Sequence, residues 1–299
     1  MLKLNSSLQT NYKTLARKSK FRECYISEEP INTIIIDVRS RLFRYIRLNI
    51  KNRSLNDKIK CTFGLLKSIS KEIFYVLQCA LNEMKKDANM LQVNKHIYVC
   101  SSNITCPFKI YKSDIASQKY ESLKNSIKLF SENMFDINKL IECHTAFESY
   151  LVSNIETICL YYNKTTSVVK IPDESFYFES DLLCAHINKT ELLSSAVLSE
   201  DFDCVALFGA NMMIKEVFPA FFTYITLDDI MQTFKSTSRE NLVYKCCILG
   251  TDYNYGIKGI GPVKITKIDD KKVLDTFETC LALAPKSQEI KKFFGISCI

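Results

Sequence analysis

Apolar residues follow two rhythms along this chain. Short apolar runs recur at TIIIDV (33–38), which is β-branched, and at HIYVCS (96–101), SAVLSED (195–201) and MMIKEVF (212–218). Each reads as a buried strand of a mainly parallel sheet, and the first and third end in carboxylates. Helical spacing occurs elsewhere. Leu66, Ile69, Ile73, Val76, Ala80 and Met84 would line one face of a helix over 63–86, and Lys112, Lys119, Lys124 and Lys128 mark a basic helix over 110–131. DLLCAHIN (181–188) and NLVYKCCIL (241–249) read as helices, the second broken by Gly250. The first 30 residues are polar and ambiguous. Residues 134–178, with Tyr161-Tyr162 and Phe176-Tyr177-Phe178, fit no element cleanly. Residues 256–299 hold a Gly-rich turn between helices. Strands alternating with helices predict an α/β domain with a mainly parallel sheet.

Such sheets gather functional groups at the carboxyl ends of their strands. Asp37 ends the first strand, Ser101 the second and Asp201 the third, so the pattern predicts one shared edge. In SEDFDCVALFGA (199–210), Glu200, Asp201 and Asp203 crowd the mouth of an apolar segment. On a strand, Asp201 and Asp203 would share a face. Glu179 and Asp181 form a second close pair before a helix, and Asp252 stands at another element end. One such acid alone is accounted for by a helix cap or a lysine partner. Six at one edge stay ionised only beside cations, either basic side chains or metal. Oxygen ligands favour Mg²⁺ or Mn²⁺. Two ions ~3.5–4 Å apart can activate a water and stabilise the leaving oxygen of a phosphodiester.

Composition narrows the classes. The chain has 299 residues, 47% apolar and 24% charged, with 7 Gly, 6 Pro and no Trp, as expected for a globular domain with an appendage. The net charge of +7 suits a polyanionic partner without requiring one. Thirteen cysteines, an odd number with no CxxC pair and several inside apolar runs, read as reduced, buried thiols. His96, His144 and His186 lie too far apart in sequence for zinc-ligand spacing. No apolar run reaches the ~20 residues of a membrane span. A soluble, intracellular protein is expected.

The second motif is TDYNYGIKGIGPVKITKI (251–268). Gly256, Gly259 and Gly261 supply tight turns, and backbone N–H groups around Lys258 and Lys264 can meet a phosphate directly or through an ion. With this motif the sequence resembles the flap endonuclease and XPG family of structure-specific 5′ nucleases, in a divergent form that fits a viral source. SEDFDCVALFGA (199–210) and ILGTDYNYGIKGIGPVKITKI (248–268) match most closely. IIIDVRS (34–40) and FESDLLCAHIN (178–188) match less well.

The resemblance implies a PIN-like core over 1–255, with a helical arch at 102–178, and a helix-hairpin-helix region over 256–299. It implies that Asp37, Glu179, Asp181, Asp201, Asp203 and Asp252 hold two Mg²⁺ or Mn²⁺ ions. Gly256, Lys258, Gly259, Gly261 and Lys264 would grip the duplex backbone, with a monovalent cation at the hairpin. Lys112 and Lys119, seven residues apart as in the family, either contact the reacting phosphate or belong to a solvated basic face. Two departures stand out. Ser101 occupies the place of the family's second aspartate, with Asp114 as a neighbour that could substitute, and the chain starts MLKLNSS rather than Met-Gly. The implied activity is metal-dependent cleavage of flap or branched DNA, in a nuclear setting of repair and replication. Two alternatives are an RNA endonuclease on the same scaffold and a catalytically weakened nucleic-acid-binding protein. Near the end, Gln288, Ile290, Phe293 and Phe294 (within 287–294) approximate a sliding-clamp-binding box, although a plain amphipathic terminal helix explains the same spacing better.

Overall fold

A computed structural model describes residues 11–28, 31–38, 40, 41, 44, 86, 87, 89–100, 106, 165–170, 179–191, 194–281 and 291–295. Its strands, in chain order, are β1 (Arg22–Tyr25), β2 (Thr33–Asp37), β3 (Lys95–Cys100), β4 (Thr165–Lys170), β5 (Ser195–Leu198), β6 (Met212–Val217) and β7 (Phe221–Thr226). They form one sheet of order β1-β7-β6-β5-β2-β3-β4. The pairings β4–β3, β3–β2, β2–β5 and β5–β6 are parallel, whereas β7 and β1 join antiparallel at one edge. The sheet is therefore mainly parallel within an α/β fold.

β2 lies at the centre, and all five of its residues are buried, as an unbroken TIIID run requires. From β2 the chain passes to β3 and β4 on one side. It then returns to the opposite side of β2 as β5 and continues outward to β6. The strand order thus reverses between β2 and β5, and the crevice beyond their carboxyl ends is where an open α/β sheet places its ligands.

The helices are α1 (Asn11–Ala16), α2 (Ser180–Thr190), α3 (Asp203–Ala206), α4 (Leu227–Phe234), α5 (Arg239–Leu249), α6 (Pro262–Ile265) and α7 (Asp270–Leu281). One buried cluster joins Tyr12 and Leu15 of α1, Ile35 and Val197 of the sheet, Cys184 of α2, Val243 and Ile248 of α5, and Phe277 of α7. α5 is buried from Leu242 to Leu249, Lys245 included. The Lys245 ammonium donates to the carbonyls of Phe234 (3.2 Å) and Lys235 (2.6 Å) where α4 ends, satisfying carbonyls left open at a helix C-terminus. Among the described residues Cys24, Cys106, Cys184, Cys204, Cys246 and Cys247 are buried, consistent with small apolar fillers. Among the described residues no helix is long and apolar enough to cross a membrane.

Three expectations need correction. The third strand ends at Leu198, not at Asp201. The Ser199 hydroxyl accepts from the Asp201 amide (3.0 Å) and the Asp201 carboxylate from the Asp203 amide (3.2 Å), so side chains take the amides a ladder would use. The 134–178 region contains a strand, β4, which pairs along its whole length with β3. The first 30 residues contribute α1 and β1, and β7 adds a further unexpected strand. The helices expected over 63–86 and 110–131, and with them Lys112, Lys119, Ser101 and Asp114, lie outside the described residues.

Candidate active site

β2 delivers Asp37 to the switch-point crevice. Its carboxylate is buried and accepts from the hydroxyls of Ser180 (3.1 Å) and Ser199 (3.0 Å) and from the Ser40 amide (3.3 Å). Ser180 opens α2, so this bond ties the start of that helix to the end of β2. Glu179 is the N-cap residue of α2, in extended conformation, and its side chain makes no capping bond. Asp181 follows in the first turn. Its Oδ1 is buried without a hydrogen-bond partner. Burial, then the neighbouring charge of Asp37, pushes the Asp181 carboxyl well above the ordinary carboxylate range.

Asp201 and Asp203 lie in the turn after β5 and at the start of α3, rather than on one strand face. Asp201 opens to solvent with 36% of its side chain exposed, while Asp203 is 4% exposed. Asp252 arrives from the far end of α5. Gly250, at φ +96°, ends that helix in a conformation that favours glycine. The next turn is held by the Thr251 hydroxyl donating to Asn254 Oδ1 (2.7 Å) and by Asn254 Nδ2 donating to the Cys247 carbonyl (2.7 Å). Gly256 closes the turn against α5: a Cβ there would stand 2.4 Å from the Leu249 carbonyl oxygen. Asp252 is thereby fixed beside Asp201 and Asp203.

A lysine unnoticed in the sequence holds these three acids together. Lys13 Nζ of α1 lies 2.8 Å from Asp201, 2.8 Å from Asp203 and 3.7 Å from Asp252. The Tyr12 hydroxyl donates to Asp203 Oδ1. Burial opposes charge on Lys13, but Asp201, Asp203 and Asp252 outweigh it and raise its pKa well above the ordinary lysine value. Burial would also raise Asp201, yet the Lys13 ammonium pulls that carboxyl well below its usual range. Asp203, fully enclosed and facing Asp201, is pushed up to about 8. Burial, then Glu179 and Asp203, also raises the Tyr253 hydroxyl.

Glu200, the third acid of the 199–203 stretch, turns away. It accepts from Arg41 (2.9 Å) and Arg44 (2.8 Å) and pairs with Lys215 (3.1 Å). Its charge is balanced by arginines and lysine, so it belongs to a structural ion-pair network.

Asp37, Asp181, Asp201, Asp203 and Asp252 converge, with Glu179 at the flank. Among the described residues no three His, Cys, Asp or Glu side chains are grouped closely enough to hold a metal ion as they stand. The donor set still fits a hard divalent cation. It consists of oxygens, it carries more acids than the one ammonium balances, and a buried Asp181 oxygen lacks a donor.

The hairpin stands apart from the acids. Gly259 adopts φ +87°, and Lys264 Nζ donates to its carbonyl (3.3 Å); Gly261 needs no special conformation. Lys258 and Lys264 are exposed, as is Val263 at 68%. The helix after it, α6, spans four residues before α7 begins at Asp270, so the basic helix read from the sequence is short. The clamp-box aromatics Phe293 and Phe294 are each 1% exposed, against Phe208 and Tyr253. They are committed to the core, in line with the plainer reading of a packed terminal helix. Gln288 and Ile290 lie outside the described residues.

Residues 175–252, which hold five of the six acids, match the XPG I-region. Over this segment the chain is similar to the flap endonuclease and XPG family. The chain is 32% identical over 117 residues to Flap endonuclease 1 of Pyrobaculum neutrophilum, covering 33% of each chain. It spans about a third of the length of the curated relatives it matches. Its fold resembles flap endonuclease-1 from Methanococcus jannaschii, with a TM-score of 0.52 and 18% identity over 93% of this chain and 82% of that one. It also resembles the catalytic core of Rad2 in complex with DNA substrate, with a TM-score of 0.52 and 13% identity over 97% of this chain and 79% of that one. At these identities the likeness is one of fold.

Proposed function

We propose that this chain is a divalent-metal-dependent, structure-specific nuclease that hydrolyses phosphodiesters in flap or branched DNA. The observation that carries the reading is the meeting of Asp37, Asp181, Asp201, Asp203 and Asp252 at the sheet's switch point, from positions spread over more than two hundred residues. Those acids, with Glu179, would hold Mg²⁺ or Mn²⁺, which supplies charge neutralisation and water activation at a scissile phosphate. Asp37 is preset by Ser180 and Ser199, and Asp252 by the Thr251–Asn254 turn, so the carboxylates are oriented before substrate arrives. The exposed hairpin, with Lys258, Lys264 and the turn at Gly256, Gly259 and Gly261, would hold the duplex backbone away from the cut. A monovalent cation there would suit its carbonyls. Backbone contacts carry affinity without base sequence, so binding should select structure and weaken with salt. Lys112 and Lys119 would meet the reacting phosphate.

The test is incubation of the purified chain with labelled 5′-flap, duplex and single-stranded DNA and RNA, in Mg²⁺, Mn²⁺ or EDTA. Asp201→Ala should lower flap cutting about a thousandfold or more, equivalent to several kcal/mol of lost transition-state stabilisation, while flap binding persists. Cutting that survives this substitution, or that proceeds in EDTA, would remove the carboxylates from the chemistry.

A second reading, a nucleic-acid-binding protein with weakened catalysis, is favoured by Ser101 at the place of a ligand aspartate and by Lys13 among the acids. Binding of flap DNA without cutting in either metal would select it. Preferential cutting of RNA in the same panel would move the substrate class instead.

A further inference from the structure

The acids fall into two halves with different surroundings. Asp201, Asp203 and Asp252 share the Lys13 ammonium at 2.8, 2.8 and 3.7 Å. Among the described residues Asp37 and Asp181 have no such cation: Asp37 is met by hydroxyls and an amide, and Asp181 Oδ1 by no donor.

Lys13 is not a surface lysine that has drifted inward. The residues flanking it on α1 are anchored: Tyr12 and Ala16 are fully buried and Leu15 is 6% exposed, all within the main core cluster. Tyr12 also donates to Asp203. Core packing therefore fixes the rotation of α1 and delivers the Lys13 side chain, itself 13% exposed, to the three carboxylates. A divalent ion among the same oxygens would bring a double charge next to an ammonium already within hydrogen-bond distance of two of them. Like charges at that separation repel strongly in a partly enclosed site.

We infer that the Lys13 ammonium stands in for one of two divalent ions, leaving a centre that binds a single metal ion on the Asp37–Asp181 side. This rests on the metal-site reading above. It makes Lys13 a resident cation that positions Asp201, Asp203 and Asp252 without being a metal ligand.

The decisive measurement is Mn²⁺ stoichiometry on the purified chain without nucleic acid, by calorimetric titration and by loss of the free-ion paramagnetic resonance signal. The wild type should bind one ion per chain. Lys13→Met and Lys13→Gln keep most of the side-chain volume and remove the charge, and they should bind two. Lys13→Arg retains the charge and should stay at one. Folding of each variant is checked by its thermal melt. Two ions in the wild type would overturn the lysine inference and leave the metal site standing. One ion in every variant would also overturn it, because the lysine would not be what excludes the second. No ion in any of them would overturn the metal site itself, and the inference with it.

Discussion

Arg41 places a guanidinium where only 1% of its side chain is exposed, and it donates to Asp87 (2.6 Å), Glu200 (2.9 Å) and the Lys215 carbonyl (2.8 Å). Removing one partner of a buried ion pair leaves the other charged and desolvated. Arg41→Ala should therefore cost about 3–5 kcal/mol of unfolding free energy in a urea titration. The cost should lie at the low end if Arg44 and Lys215 continue to hold Glu200. The same network explains what could be read locally and what could not. Asp201 and Asp203 were legible as acids at the mouth of an apolar segment. Their neighbour Glu200 looks the same in sequence, and its different fate is set by Arg41, Arg44 and Lys215, which reach it from distant parts of the chain. Lys13 escaped notice for a related reason. Among 40 Lys and Arg residues, nothing in its immediate neighbours separates a lysine aimed at three acids from one aimed at water.

At the level of elements, α4 begins with a reciprocal cap. Asp229 receives the Thr226 amide and hydroxyl, while Thr226 Oγ1 receives the Asp229 amide. Arg22 of β1 adds an ion pair at 2.6 Å, which pins the edge strand to this helix. Burial would raise the Asp229 carboxyl, but the bonds from Thr226 and then Arg22 lower it below its ordinary value. A depressed folded-state pKa contributes stability above the unfolded value of ~3.9, and that contribution disappears as pH falls through the folded value. Asp229→Asn should thus cost about 1 kcal/mol at neutral pH, and its deficit should close as the pH is taken below the ordinary carboxylate range, as read from denaturant midpoints at neutral and acid pH. The strands β2, β3, β5 and β6 were readable because short apolar runs bounded by polar residues have few other uses. β1, β4 and β7 were not, since their polar or mixed residues become strands through pairing with a neighbour already in place.

At the scale of the molecule, the 291–295 segment returns to the core that α1 and α5 share. Phe293 and Phe294 pack on Phe208 and Tyr253, with the Phe208 and Phe293 ring centroids 5.4 Å apart, and Arg239 donates to the Phe294 carbonyl (2.7 Å). Phe293→Ala should lower unfolding free energy by about 3–5 kcal/mol in guanidinium. A clamp-docking residue held outside the core would show almost no loss, which makes that titration a direct check on the role of the segment. The mainly parallel architecture was legible from the apolar runs, and Asp37 from the end of its strand, whereas the other acids come from helix starts and turns. The correct face for Asp201 and Asp203 was not legible, because the turn that carries them is built from side-chain hydrogen bonds rather than from hydrophobic periodicity.

The bond network around Lys13 also sets a schedule. Its ammonium meets Asp201 across 188 positions, and the last acid, Asp252, comes later still. A nascent polypeptide emerging from the ribosome carries Tyr12, Lys13 and Asp37 long before it carries their partners. Contacts between such remote positions close late and slowly. The full group of acids therefore cannot assemble until residue 252 is free to fold, and a chain truncated before it keeps Tyr12 and Lys13 without all their partners.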